Sequence, residues 1–240
     1  GKRLFSNGDR LLSQEGSEFQ SWYGYQSDGI FQNQTEVDNS PVTSDAVAPG
    51  DIKYKDISGP DGTPDGIINE LDRTVLGGSL PRYQYGGSIN LEYKGFDFSL
   101  AFQGVGKNDF YLSESFIRPF QESWLSPSEE YANDYWSTYR TQQQNNNARY
   151  PRLSENASGN NYRFSDFWLV NGAYLRIKNL TLGYTLPSDV LAASGFSKLR
   201  LYISGNDVFT FDSLTKGIDP EQLGDYLITK SYLLGIKVNF

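Results

Sequence analysis

The stretch Tyr232-Leu-Leu-Gly-Ile-Lys-Val-Asn-Phe240 decides the fold class, because apolar and polar residues alternate along it. One face of this extended segment carries Tyr232, Leu234, Ile236, Val238 and Phe240. An apolar face with an aromatic residue at each end is the pattern of a transmembrane β-strand, whose aromatic residues lie at the two membrane interfaces. We therefore expect 226–240 to contain the closing strand of a β-barrel.

Residues 83–103 repeat this alternation on both sides of a tight turn predicted at Lys94-Gly95. The alternation is also typical of a soluble β-sandwich, and one hairpin alone does not separate the two interpretations. Aromatic residues at both ends of the apolar face, with aliphatic residues between them, favour the membrane strand. The residues predicted to face a polar lumen are Gln84, Asn90, Asp97, Gln103 and, on a later strand, Arg200.

Two further strands and two short helices follow from the pattern. One strand, or two, lies within 164–186, and a change in the parity of the apolar residues there predicts a β-bulge near Lys178-Asn179. The next strand is predicted at 199–209. The capping box Ser126-Pro-Ser-Glu129 predicts a helix over 127–139, and one helical turn is expected at 188–193.

The fold class predicted from these segments is all-β, an antiparallel transmembrane β-barrel with long extracellular loops that contain a short helix. Short connections belong on the periplasmic side of such a barrel and long ones outside. If Lys94-Gly95 is periplasmic, the acidic loop 51–72, the long loop 107–163 and the loop 212–225 are all extracellular.

Composition limits the chemistry. The chain has 240 residues, no cysteine and no histidine, which removes Cys or Ser-His nucleophiles and ordinary zinc sites. A carboxylate-only hydrolase has no motif to support it, so we do not expect an enzyme. Because the net charge is −8, we expect no nucleic-acid partner. No apolar run reaches the length of about 18 residues that a membrane-spanning helix needs.

The acidic loop contains the sharpest local motif, Asp61-Gly-Thr-Pro-Asp-Gly-Ile-Ile-Asn-Glu-Leu-Asp72. Its spacing resembles an EF-hand calcium loop, with Gly66 at the sharp turn. The expected Ca²⁺ ligands are Asp61, Thr63, Asp65, the carbonyl of Ile67, Asn69 and Asp72. The departures from that motif are Thr63 at position 3, Pro64 at position 4 and Asp72 in place of the longer Glu at position 12, and fewer charges with a shorter last ligand should weaken calcium binding. A turn rich in glycine, proline and aspartate without an ion is the alternative.

Several ordered motifs resemble one family, the SusC/RagA-type TonB-linked outer-membrane transporters, in the carboxyl-terminal part of their chains. The matching segments are Gly50-Asp-Ile-Lys-Tyr-Lys-Asp56, Asp72-Arg-Thr-Val-Leu-Gly77, Ser165-Asp-Phe-Trp-Leu169, Gly172-Ala-Tyr-Leu-Arg-Ile-Lys-Asn-Leu-Thr-Leu-Gly-Tyr184, Gly217-Ile-Asp-Pro-Glu221 and the terminal Phe240. Together they extend over most of residues 20–240.

The resemblance implies a segment, 1–240, of a barrel of about 22 strands with a plugged lumen. It implies location in the outer membrane of a Gram-negative bacterium, surrounded by lipid. The implied activity is import of oligosaccharides or peptides, with TonB as energy source and a SusD/RagB-like surface lipoprotein as lid. Signal, plug and TonB-contact segments are absent here, so we expect a piece of a larger exported protein or a processed product. The alternative is a soluble, secreted, calcium-containing carbohydrate-binding β-sandwich.

Overall fold

A computed structural model describes residues 3–112, 114–120, 126–154, 159–192, 195–222 and 228–240. Two compact units divide the chain. Unit 1 comprises residues 1–80 and 109–170, and unit 2 comprises residues 81–108 and 171–240. Among the described residues, no helix is both long and apolar enough to cross a membrane.

Most of the regular structure is β-strand. The strands are β1 (Leu4–Ser6), β2 (Leu11–Ser13), β3 (Ser21–Tyr25), β4 (Ser27–Ile30), β5 (Val42–Thr43), β6 (Ile52–Tyr54), β7 (Ile67–Ile68), β8 (Arg73–Gly78), β9 (Tyr83–Tyr93), β10 (Phe96–Gly106), β11 (Asp109–Tyr111), β12 (Leu169–Asn171), β13 (Tyr174–Thr185), β14 (Lys198–Asp212) and β15 (Ser231–Asn239). The α-helices are α1 (Gln34–Asp38), α2 (Glu114–Ile117), α3 (Glu129–Asn133), α4 (Gln142–Asn146) and α5 (Ser188–Leu191). Short 3-10 helices lie at Glu70–Asp72, Asn160–Tyr162 and Asp166–Trp168.

Unit 1 combines a four-stranded antiparallel sheet, in the order β1-β2-β3-β8, with long ordered loops. Its largest buried side chain, Trp168, lies against the stacked rings of Tyr131 and Tyr150, whose centroids are 4.5 Å apart. The Trp168 indole donates a hydrogen bond of 2.8 Å to the carbonyl of Asn161. An aromatic core of this kind buries large apolar rings while its polar atoms remain bonded.

A buried carboxylate holds two distant loops of unit 1 together. Asp51 is 2% exposed and accepts hydrogen bonds from Arg152 (2.7 Å), Asn161 (2.8 Å) and the backbone N–H of Ala48 (2.8 Å). Removing any one donor would leave a buried charge less compensated, which is costly. The predicted loop 107–163 is therefore not a loose insertion in the part that is described, because Arg152, Asn160 and Asn161 are bonded to residues 48–54.

Unit 2 contains the strands that the alternation predicted. All neighbours are antiparallel, in the order β15-β14-β13-β10-β9. The turn joining β9 to β10 is formed by Lys94 (φ 48°) and Gly95 (φ 85°), both in the left-handed region that a tight hairpin of this type requires. A Cβ on Gly95 would also lie 2.7 Å from the carbonyl oxygen of Thr185. The described residues do not form a closed barrel, since β15 and β9 each pair on one side only.

The predicted bulge is confirmed. The pairing of β13 with β10 and with β14 shifts at Lys178, and two residues of β14, Asp207 and Val208, lie opposite it. The shift brings the apolar residues on either side of Lys178 onto one face of the sheet, because an extra residue reverses the two-residue alternation.

The apolar face of the sheet stays exposed. Leu91 is 60% exposed, Leu201 43%, Leu234 81% and Ile236 66%. These residues do not converge on a dry interior, which is what the soluble sandwich required. Burying such surface is strongly favourable, so we expect this uncovered face to lie against an apolar environment outside the described residues.

Some boundaries differ from those expected. The helix predicted over 127–139 is the shorter α3, because Ser128, rather than Ser126, caps it by accepting from the N–H of Tyr131. The predicted strand 199–209 extends to Asp212, since the bulge lets its pairing continue. The closing strand within 226–240 is β15; residues 226–227 lie outside the described ones, and Phe240 follows the strand and is 91% exposed.

Candidate functional site

The second face of the five-stranded sheet is mainly polar, although the exposed Leu233 of β15 lies on it opposite Ser204. Ser99 donates a hydrogen bond of 2.7 Å to Asn90 on the neighbouring strand. In the same row, the hydroxyls of Thr181 and Ser204 lie 2.7 Å apart. Cross-strand bonds between hydroxyl and amide groups orient these side chains while leaving acceptors and donors for water or solute.

An ion pair spans three strands of this polar face. Arg200 on β14 makes a two-pronged contact with Asp97 on β10, with Nε 2.8 Å from Oδ1. The pair crosses above Gly183 of β13, where an added Cβ would lie 2.5 Å from Asp97 Oδ1. The guanidinium also lies 4.7 Å from the ring centroid of Tyr202. A planar fork of this kind holds a carboxylate in one geometry.

A loop that follows β14 folds onto the same polar face; residues 213–222 of it are called the strap here. Arg176, which is 2% exposed, donates to Asp219 Oδ2 at 2.7 Å and to the hydroxyl of Thr210 at 2.9 Å. Its Nη1 lies 3.0 Å from Glu221 Oε2, an ion-pair contact without hydrogen-bond alignment. Ile218 of the strap is buried as well.

Glu221 connects the strap to a second cation and to a predicted lumen residue. Its Oε2 lies 3.2 Å from Lys178 Nζ, and its Oε1 accepts a hydrogen bond of 2.9 Å from Gln103. Lys178 is the bulged residue and also contacts Asp207 at 2.5 Å. Besides restoring parity, the bulge therefore places a lysine between Glu221 of the strap and Asp207 of β14.

The pKa of Asp219 is lowered by the contacts that this carboxyl makes at the strap. Burial alone would raise the pKa of this carboxyl, but the hydrogen bonds from Arg176 and from the N–H of Glu221 outweigh burial and lower it. The strap's main anchor is therefore ionised at neutral pH.

The predicted lumen residues do lie on one face. Asn90, Asp97, Gln103 and Arg200 contact polar partners there, and Gln84 and Gln103 line a shallow recess of about 350 Å³. That this face borders a lumen stays a prediction. Sequence reasoning missed the cluster of Arg176, Lys178, Asp207, Asp219 and Glu221. The sequence does contain a sign of this cluster, because charged residues stand on the polar side of a strand and the Gly217–Glu221 motif supplies two carboxylates.

The predicted calcium ligands are arranged differently from an EF-hand. Asp72 is fully buried, and its two oxygens accept the N–H groups of Ile57 (2.8 Å), Ser58 (3.1 Å) and Asn69 (2.8 Å). Asn69 in turn caps the short helix by accepting from the N–H of Leu71.

The remaining expected ligands of the loop, Asp61, Thr63, Asp65 and Ile67, are exposed. Asp65 Oδ1 accepts from the N–H of Ile67 at 3.0 Å. Nowhere in the described ranges do three or more acidic residues form a group that could hold a metal ion. Backbone N–H groups thus saturate the Asp72 carboxylate that would close the site, and this arrangement does not fit calcium coordination; titration with Ca²⁺ tests the prediction made from the sequence.

Comparisons with known proteins agree with the fold. TonB-dependent receptor P3 of Formosa agariphila is 29% identical over 210 residues, which are 88% of this chain and 19% of that protein. TonB-dependent receptor P39 of the same organism is 25% identical over 252 residues, covering 90% of this chain and 23% of the relative. The predicted resemblance to SusC/RagA-type TonB-dependent transporters is confirmed.

Solved structures show the same fold. The RagAB peptide transporter matches 99% of this chain and 25% of its own with a TM-score of 0.71, at 18% identity. The RagAB peptide importer in its open-open state gives a TM-score of 0.68, also over 99% of this chain and at 18% identity. No protein-family model matches. The chain spans about a fifth of the length of the curated relatives, so the expected total of about 22 strands stays a prediction.

Proposed function

We propose that the protein takes part in TonB-energised import of oligosaccharides or peptides across the outer membrane of a Gram-negative bacterium, with a SusD/RagB-like lipoprotein as its surface partner. One observation carries the proposal. A single antiparallel sheet has one face of exposed apolar side chains and an opposite face of hydrogen-bonded polar groups. Lipid suits the first face and a hydrated passage the second. Similarity to TonB-dependent receptors supports the energy source.

The strap has a specific place in this proposal. The strap covers part of the polar face and narrows the space next to Gln103. Its bonds to Gln103 and Arg176 hold its Gly217–Glu221 segment in one position. A passage lined mainly by amides and fixed charges accommodates large polar solutes while offering little apolar surface to which they would adhere. No catalytic step is involved, and the energy for transport comes from TonB acting outside this chain.

An uptake experiment tests the proposal. The gene is deleted in its host and restored on a plasmid, and cells receive fluorescently labelled peptide and oligosaccharide pools. We expect restoration to increase uptake of at least one pool, and removal of TonB to abolish that increase. Uptake that is unchanged by the deletion, or the same without TonB, contradicts the proposal.

The alternative β-sandwich makes the opposite prediction for fractionation. A soluble secreted module would stay folded and monodisperse in buffer without detergent. The uncovered side chains of Leu91, Leu234 and Ile236 predict that the protein instead needs detergent or lipid. Co-purification of a lipoprotein partner in detergent then tests the surface lid.

A further inference from the structure

A cleft of about 720 Å³ lies wholly within unit 1, apart from the polar face described above. Its charged lining consists of the guanidinium groups of Arg10, Arg73 and Arg163 and the carboxylates of Asp45 and Glu70. Unit 1 as a whole contains 11 lysine and arginine residues against 21 acidic ones. An excess of cations in this cleft is therefore the reverse of the surrounding composition. Its volume is within the range of small-molecule sites.

Two of the arginines are held in place by the fold. Arg73 Nη2 donates to the carbonyl oxygens of Asp9 and Tyr23, and its guanidinium lies 4.9 Å from the Tyr23 ring centroid. Arg163 donates through Nε and Nη2 to Asp45, at 3.1 and 2.8 Å. Fixed guanidinium groups lose little conformational entropy when they bind an anion.

The carboxylate of Glu70 already binds the hydrogen-bond donors that an acidic ligand would use in the cleft. Glu70 accepts from Arg73 Nη1 at 2.8 Å and from the Tyr25 hydroxyl at 3.2 Å, while its own side chain is 76% exposed. Exposed ion pairs contribute little, so an incoming carboxylate competes with Glu70 at small cost. Nη1 of Arg163 donates to no described residue, which leaves a second group for the same anion. Burial, and then the charge of Glu70, raise the pKa of Tyr25 to about 12, so its hydroxyl stays a donor.

The rim of the cleft is aliphatic. Val42 and Ile67 are paired on the parallel strands β5 and β7 and are 67% and 48% exposed. The aromatic rings of the cleft offer no comparable free face, because Tyr25 is buried and Phe164 packs against Trp22 and Tyr111. This rim fits the aliphatic part of a ligand whose acidic group reaches the arginines.

We propose that this cleft binds a carboxylate-bearing oligomer, with the carboxylate between Arg73 and Arg163 and an aliphatic portion on Val42 and Ile67. The aliphatic rim favours the acidic side chain of a peptide as the source of this carboxylate, and the uronic acid of an oligosaccharide, which shares the carboxylate but has no aliphatic part, is the other outcome that the test distinguishes. Binding at this cleft does not depend on transport, so it is tested apart from uptake.

Isothermal titration calorimetry on the full-length protein in detergent tests the site. The probes are triglutamate and trigalacturonate, with triglutamine and trigalactose as neutral counterparts. We expect at least one acidic probe to bind ten-fold or more tightly than its neutral counterpart, and less tightly as salt increases. Whichever acidic probe binds identifies the source of the carboxylate.

Matched variants assign the binding to the cleft. Arg163→Gln should lower the affinity for the acidic probe ten-fold or more. Glu70→Gln should raise this affinity several-fold, because it removes the carboxylate that competes with the probe for Arg73. Arg149→Gln, at an exposed arginine 3.9 Å from Glu130, is the control and should change nothing. Equal affinity for acidic and neutral probes overturns the proposal. If Arg163→Gln does not fold, an unchanged or weakened affinity in Glu70→Gln overturns it equally.

Discussion

At the scale of single residues, Arg176 is the buried cation that pairs with both carboxylates of the strap. It is 2% exposed and neutralises Asp219 and Glu221, which are themselves nearly buried. Removing one partner of a buried pair usually costs about 3–5 kcal/mol, because the remaining charge stays desolvated. We expect Arg176→Met to lower stability by about that amount in denaturant titrations and to release the strap, so that trypsin cleaves faster after Lys216.

Arg200→Met provides the matched control for this experiment. It removes an arginine from the same polar face, but its ion pair with Asp97 is partly exposed and does not contact the strap. Cleavage after Lys216 should therefore stay at the wild-type rate. Equal acceleration in both variants would show that the strap responds to general loosening of the sheet rather than to its own anchor.

The lowered pKa of Asp219 gives the strap a defined pH dependence. A carboxyl whose folded pKa lies below its unfolded value stabilises the fold above the unfolded value, and this stabilisation is lost as the pH falls through the folded pKa. We expect the strap's amide protons to stay protected at neutral pH and to exchange faster only below the usual aspartate range. Hydrogen exchange corrected for intrinsic rates measures this, and Asp219→Asn should abolish the transition.

At the scale of elements, the loop around Asp72 is organised by one side chain. Three backbone N–H groups from two segments point at its carboxylate. An amide at this position has only one acceptor oxygen, so Asp72→Asn leaves a buried donor without a partner, at about 1–3 kcal/mol. We expect faster proteolysis within 56–72 in this variant, and no effect of calcium or chelator on the wild-type pattern. Protection that depends on calcium would restore the EF-hand interpretation.

Strand positions were predictable from sequence where side chains alternate between two environments. The parity change around Lys178 was sufficient to locate a bulge, because only an extra residue keeps both halves of β13 on one face. The Asp72 network was not predictable in the same way. Its donors are backbone groups brought together by the chain's path, and side-chain spacing alone resembles a metal loop. The start of α3 could not be predicted either, because Ser126 and Ser128 are both residue types that cap helices.

At the scale of the whole molecule, the two units differ in how far sequence determines them. The sheet of unit 2 follows a two-residue period, so its register and faces could be predicted. Unit 1 depends on contacts between residues far apart in the chain, such as Asp51 with Arg152 and Asn161. No local pattern encodes such pairs. The arginine cleft arises in the same way, from the loops around Thr43 and Arg73 and from Arg163.

The apolar face of unit 2 makes the broadest prediction, since no tryptophan of the chain lies in the sheet. Leu234→Trp places an indole on the 81% exposed apolar position, and Ser204→Trp places one on the polar face of the neighbouring strand. In liposomes, we expect bromine-labelled acyl chains to quench the added emission of Leu234→Trp, while iodide in water quenches that of Ser204→Trp. If the lipid quenches both alike, or neither, the two faces do not separate bilayer from water, and the hydrated passage loses its structural basis.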